Sequence, residues 1–150
     1  MPAQPKDYQS WWERFPRLLE RELDTFGRHG ATYEEVTRRL DLLILEVTWP
    51  LDGVDDLLLR VGFSPLHPFC RPSISAPGLD LERHQHPVTK GLCLITQESG
   101  QWDPSQAVAD FIAEQLPRVL EAVALRAAGR WEEAATLEEN TPDAISAYLG

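Results

Sequence analysis

Two cysteines and four histidines are the residues of this 150-residue chain best suited to nucleophilic or metal chemistry. The string Arg83-His84-Gln85-His86-Pro87-Val88-Thr89-Lys90-Gly91-Leu92-Cys93-Leu94 sets one thiol downstream of two imidazoles. A thiolate is a strong nucleophile, so Cys93 is a possible nucleophile or else a small buried apolar side chain, and it shares with His84 and His86 an irregular loop of the kind on which reactive side chains concentrate. Cys70 is set instead in the corner Pro65-Leu66-His67-Pro68-Phe69-Cys70-Arg71-Pro72, where it reads as a packed apolar side chain. Thiolate and imidazole also suit zinc, so His67, Cys70, His84, His86 and Cys93 could supply four ligands of a zinc-stabilised interaction domain. Their spacings match no common zinc signature, and no metal is expected. The chain has no glycine-rich phosphate loop, serine elbow or carboxylate-metal helix, so no nucleotide-driven reaction is expected within it.

The loop needs a scaffold to present it. Trp11, Phe15, Leu18, Leu19 and Phe26 form the apolar stripe of a first helix over Asp7 to Arg28. Ser10 with Glu13 reads as its capping box, Pro16 predicts either a kink or a new start, and Gly27 and Gly30 end it. Arg14, Arg17, Arg21 and Arg28 stack on the polar face of that helix, as a docking stripe or as a solubilising surface. Leu42 to Trp49 and Leu57 to Phe63 read as adjacent antiparallel strands, although Leu57 to Leu59 suit a helix equally well on propensity. Ser73 to Ala76 reads as a third strand after the proline corner, which should cross the molecule extended. Asp103-Pro104 begins a long helix with Asp103 as cap, and Pro117 predicts a kink or break in it. Gly129 ends it, and shorter helices are expected over Trp131 to Glu139 and after Thr141-Pro142. The fold class is α+β: an N-terminal helix, an antiparallel β-meander, an irregular active-site loop and C-terminal helices.

With 43% hydrophobic and 25% charged residues, residues 1–150 read as a single domain. The net charge of −10 opposes the phosphate neutralisation that nucleic-acid binding requires, so neither nucleic acid nor an anionic membrane is expected as a partner. No apolar run approaches the roughly 20 residues of a membrane span, and Met1 to Ser10 lacks the basic start and apolar segment of a signal peptide. A cytoplasmic location with reduced cysteines is the expectation. Lys6 and Lys90 are the two lysines, against twelve arginines. Base composition favouring arginine accounts for that imbalance better than selection does, although the imbalance would also spare a protein carrying an amine-reactive acyl group from modifying itself.

At the loop, the sequence resembles the ubiquitin-conjugating (E2) superfamily. His86-Pro87, Gly91-Leu92-Cys93-Leu94 and Trp102-Asp103-Pro104 match that family's His-Pro-Asn turn, catalytic cysteine and Trp-x-Pro helix start, in order. Pro68-Phe69-Cys70-Arg71-Pro72 is similar to its proline-rich stretch between the second and third strands. The resemblance spans about Asp41 to Leu120, and the first helix extends it to the N-terminus. The family's asparagine is replaced by Val88, and the loop before Cys93 is shorter, features most similar to divergent bacterial E2-like proteins of ubiquitin-like conjugation operons, some of them active in antiviral defence. The resemblance implies a UBC-like fold, no cofactor, and a transferase that accepts a ubiquitin-like protein as a Cys93 thioester from an E1-like activating enzyme. An amine on a target protein then receives it. Candidates for the oxyanion support that asparagine would give are His84, His86, Gln85 and backbone amides, with His86 setting loop geometry and His84 handling protons. Arg14, Arg17 and Arg21 are implied as the docking face for the E1-like partner. A catalytically inactive E2 variant, binding a ubiquitin-like protein without carrying it, is the alternative.

Overall fold

A computed structural model describes residues 9–39, 41–53, 55–79, 85, 88–92 and 102–137. The described residues form an α+β unit in which helices pack on one face of a four-stranded antiparallel sheet. The elements are α1 (Trp11–Arg14), α2 (Pro16–Arg28), β1 (Thr32–Arg39), β2 (Leu42–Trp49), β3 (Leu57–Phe63), β4 (Ser73–Ser75), α3 (Val108–Ala127) and α4 (Trp131–Leu137). The strands lie in sequence order, each antiparallel to the next.

Pro16 restarts the first helix rather than kinking it. It has no N–H to donate, and it opens α2 from the first position, where that donor would be orphaned anyway. The Ser10 hydroxyl does not cap α1; the Ser10 carbonyl instead accepts from Glu13 and Arg14 at 3.0 Å each. At the other end Gly27 stays helical, and Gly30 at φ +78° closes α2, with Ala31 N–H bonded to Phe26 O and Gly30 N–H to Gly27 O, both at 3.0 Å.

Alternation in β2 and β3 turns Leu43, Leu45, Val47, Leu59, Val61 and Phe63 inward against Leu19, Phe26, Phe111, Ile112, Leu116 and Val119. That pairing settles Leu57 to Leu59 as strand, since cross-strand burial outweighs the helical preference of leucine. β1 has no counterpart among the expected elements. The helices leave it uncovered on both faces, so it carries no alternation to read.

The proline corner is a pair of turns, not an extended crossing: His67 N–H bonds Ser64 O at 3.0 Å, and Phe69 N–H bonds Leu66 O at 2.8 Å. Asp103 does not cap α3. Its Oδ1 accepts from Ser105 N at 2.9 Å and from Ser105 Oγ at 2.7 Å, and this local turn competes with helix, so α3 starts at Val108. The same bonds hold the exposed Asp103 carboxyl below its ordinary pKa. α3 runs through Pro117 and ends at Ala127, with Gly129 at φ +78° just beyond it. The segment after Thr141-Pro142 lies outside the described residues. No described helix is long and apolar enough to cross a membrane.

Candidate functional site

Loop residues 85 and 88–92 are built onto β4. Leu92 N–H donates to Ile74 O at 2.7 Å, Ala76 N–H donates to Lys90 O at 3.0 Å, and Ser75 bridges Gly91. Lys90 adopts a left-handed backbone, φ 61°, which for a residue with a Cβ costs about 1 kcal/mol or more and aims the chain back onto the strand. Gly91 and Leu92 follow as a short extension of the sheet. Cys93, the next residue in sequence, lies outside the described residues, as do His84, His86 and Pro87.

Gln85 is the described anchor of this loop. It is buried, and its Nε2 donates to Ala76 O at 3.1 Å and Lys90 O at 3.3 Å. Both amide hydrogens are thus engaged with backbone carbonyls, which corrects its assignment as a donor to an oxyanion. Val88 is 81% exposed. Gln85→Ala is expected to cost about 1–2 kcal/mol and to release the extension. Hydrogen exchange at the Leu92 amide should accelerate well beyond that at the Val61 amide in the sheet interior; equal protection in variant and parent would remove Gln85 as the clamp.

A second constellation fastens the proline corner. Glu22 of α2 is fully buried, its Oε1 is 3.1 Å from His67 Nε2, and its Oε2 accepts Val108 N–H at 2.9 Å. The carboxylate therefore caps α3 from another helix, where the positive end of the helix dipole favours it. A carboxylate only accepts, so His67 Nε2 carries the hydrogen. The imidazole sits among rings, 4.7 Å from Trp11 and 4.9 Å from Phe63 between centroids. Trp102 Nε1 donates to Pro68 O at 2.8 Å and its ring meets Phe111 edge-on, so Trp102 ties the corner to α3. Cys70 is exposed, contrary to the packed position expected, because the turns carry it to the rim of the corner. Trp131 is exposed also, under the Arg126 guanidinium. With His67 bonded to Glu22 and Cys70 at the surface, no metal-binding group of three occurs among the described residues.

The arginine stripe is divided. Arg14 belongs to α1 and lies over the Phe15 ring, 5.5 Å from its centre, and Arg17 is exposed at the start of α2. Arg21 is drawn into the fold: Nη1 donates to Ser105 O at 3.2 Å and Nη2 to Glu22 Oε1 at 3.4 Å. Beside Arg14 and Arg17 runs an open apolar groove of about 590 Å³ between the start of α2 and the proline corner, with Phe15, Pro16, Leu18, Pro68 and Phe69 as its apolar lining. Phe15 and Phe69, two of the groove's lining rings, are 52% and 77% exposed. The groove joins residues far apart in sequence, and only the fold brings them together.

No family model and no solved structure matches the chain. Among curated proteins the chain is similar to the Uncharacterized protein y4oA of Sinorhizobium fredii, 54% identical over 142 residues that cover 95% of this chain and 24% of that protein. The chain therefore spans about a quarter of the length of the curated relative it matches.

Proposed function

We propose that the protein is an E2-like carrier of the ubiquitin-conjugating (UBC-like) superfamily, accepting a ubiquitin-like protein on Cys93 and passing it to an amine of a target protein. One observation carries this reading: Gly91-Leu92, directly before Cys93, is hydrogen-bonded onto the end strand of an antiparallel meander, with Trp102-Asp103-Pro104 leading into the next helix. A thiol placed after such an anchored segment starts from a fixed point on a rigid scaffold, as nucleophilic catalysis requires.

In the proposed reaction the Cys93 thiolate attacks the carbonyl carbon of a thioester presented by an E1-like activating enzyme. A new carbon–sulfur bond forms, and the activating enzyme's thiolate leaves. A target amine then attacks the Cys93 thioester, the amide forms, the Cys93 thiolate departs and the amine gives up a proton. No cofactor takes part in either exchange. Oxyanion support falls to His84, His86 or loop amides, since Val88 offers no polar side chain and Gln85 is engaged. The reading places both exchanges in the cytoplasm. Incubation with the cognate E1-like enzyme, its modifier and ATP should give an adduct that reductant removes. Failure to form it with an active E1-like enzyme would leave the inactive E2-variant reading, which Val88 favours.

Arg14, Arg17 and the adjoining apolar groove are the proposed docking face for the E1-like partner, with Arg21 serving the fold. Arg17→Glu should slow loading of Cys93 by roughly tenfold at low ionic strength and less at high, because complementary surface charge acts mainly on association. Stability should be unchanged. Loading at the parental rate across the salt series would move the docking face elsewhere.

A further inference from the structure

β1 ends the sheet. It pairs with β2 along one side, and no described strand pairs with its other side. Seven of its eight residues are exposed. Charge is a common guard on such an edge, and Glu34, Glu35, Arg38 and Arg39 supply it. Their order has a further property. Glu34-Glu35-Val36-Thr37-Arg38-Arg39 runs from acid to base, so two antiparallel copies of the segment oppose acids to bases throughout.

Such a pairing also requires the opposed side chains to share a face. In an unbroken strand Glu34 and Arg39, five residues apart, would point to opposite faces. The bulge in β1 reverses this. Glu34 pairs with Glu46 and Glu35 with Leu45, after which Thr37 pairs with Ile44, Arg38 with Leu43 and Arg39 with Leu42, leaving Val36 as the extra residue. Glu34 and Arg39 therefore lie on the helix-free face of the sheet, and Glu35 and Arg38 on the other, where their side chains form an ion pair. A twofold axis normal to the sheet at Thr37 then sets Glu34 against the second copy's Arg39 and Glu35 against its Arg38, each on the matching face. The twofold repeats both pairs.

Two of these charges, Glu34 and Arg39, lack compensation among the described residues. Glu34 stands directly across from Glu46, whose carboxylate is taken by Arg60 at 3.0 Å. Like charges directly opposed on neighbouring strands are unfavourable. Among the described residues neither Glu34 nor Arg39 has an ion-pair partner, and a second copy provides each with one.

We propose that β1 joins β1 of a second copy edge to edge, about a twofold axis at Thr37, extending the two four-stranded sheets into one antiparallel sheet. A single-strand contact is small, so the dimer is concentration-dependent and weakened by salt. Sedimentation of the unmodified chain at low ionic strength should show a monomer–dimer equilibrium that shifts to monomer as salt rises. Glu34→Arg with Glu35→Arg, or Arg38→Glu with Arg39→Glu, places like charges in opposition and should weaken self-association by roughly tenfold or more. Mixing these two variants restores every pair, as does exchanging all four charges within one chain, and dimer should return in both. Independently, Thr37→Cys should give a reducible dimer, since cross-strand Cα separations fall in the range a disulfide spans, while Thr32→Cys, away from the axis, should not. A chain monomeric at about 0.1 mM in low salt, in the weak-binding range where a small interface would still register, would overturn the proposal. So would dimers indifferent to all of these substitutions.

Discussion

Glu22→Ala is expected to lower the unfolding free energy by about 3–5 kcal/mol, the scale seen when one partner of a buried pair is removed. A domain of this size has roughly 5–15 kcal/mol in total, so the variant should be close to unfolding at 25 °C. Three connections fail together. The Val108 N–H, inside a buried helix start, loses its acceptor; the buried His67 loses the partner of Nε2; and Arg21 loses the carboxylate that its Nη2 reaches. A cavity also opens where the Glu22 side chain, with zero exposure, had packed. Glu22→Gln keeps the volume and one carbonyl acceptor, and its cost should be nearer 1–2 kcal/mol. Denaturant midpoints at constant slope measure both. Because Glu22 joins α2, the corner and α3, partial unfolding of Glu22→Ala should expose the ring of Trp102 and raise its solvent accessibility with that of Trp11. Equal midpoints for alanine and glutamine would mean that the side chain only fills space.

A signal for Glu22 was present in the sequence. It lies three residues after Leu19 and four before Phe26, on the buried stripe of the first helix, where a carboxylate must find donors. Those donors come from positions 67 and 108, and helical periodicity carries no information about such distant partners. β2 and β3 were legible as short apolar runs bounded by turn residues, and β4 as the short segment after the proline corner. β1 was illegible for the converse reason. The Asp103-Pro104 signal was real, but local hydrogen bonds to Ser105 used it for a turn, and the helix start passed to a residue capped from across the molecule. The apolar groove escaped notice because Phe15 was assigned to the core stripe and Phe69 to a corner expected to be extended, whereas both rings turn outward. Gln85 stood beside two histidines in a string of chemical interest, and its backbone contacts depend on the Lys90 turn that no pattern encodes.

Cys93→Ala is expected to abolish the adduct with a ubiquitin-like protein entirely, while Cys70→Ala should leave its yield unchanged. The two thiols differ in their sequence settings. Cys93 follows Gly91-Leu92, which the sheet holds through Ile74, and it stands in sequence between His86-Pro87 and Trp102-x-Pro104. Cys70 stands at the rim of the proline corner, on the chain that leads from His67 to β4. Being exposed, it packs against little, and its replacement should alter stability by less than about 0.5 kcal/mol, as at most surface positions. Exposure also makes Cys70 the natural competitor for adventitious reaction, so the pair of variants tells which thiol carries the modifier. Cys93→Ser should trap an ester that resists reductant and yields to alkali, because an alkoxide leaves far less readily than a thiolate. A non-reducing gel of parent and variants with the E1-like enzyme, modifier and ATP, repeated with reductant, reads all three outcomes. An adduct that persists in Cys93→Ala and disappears in Cys70→Ala would transfer the chemistry to the corner, where His67, bonded to Glu22 through Nε2, is already engaged in the fold. An adduct on neither thiol of the parent protein would leave the fold as a platform that binds the modifier without carrying it.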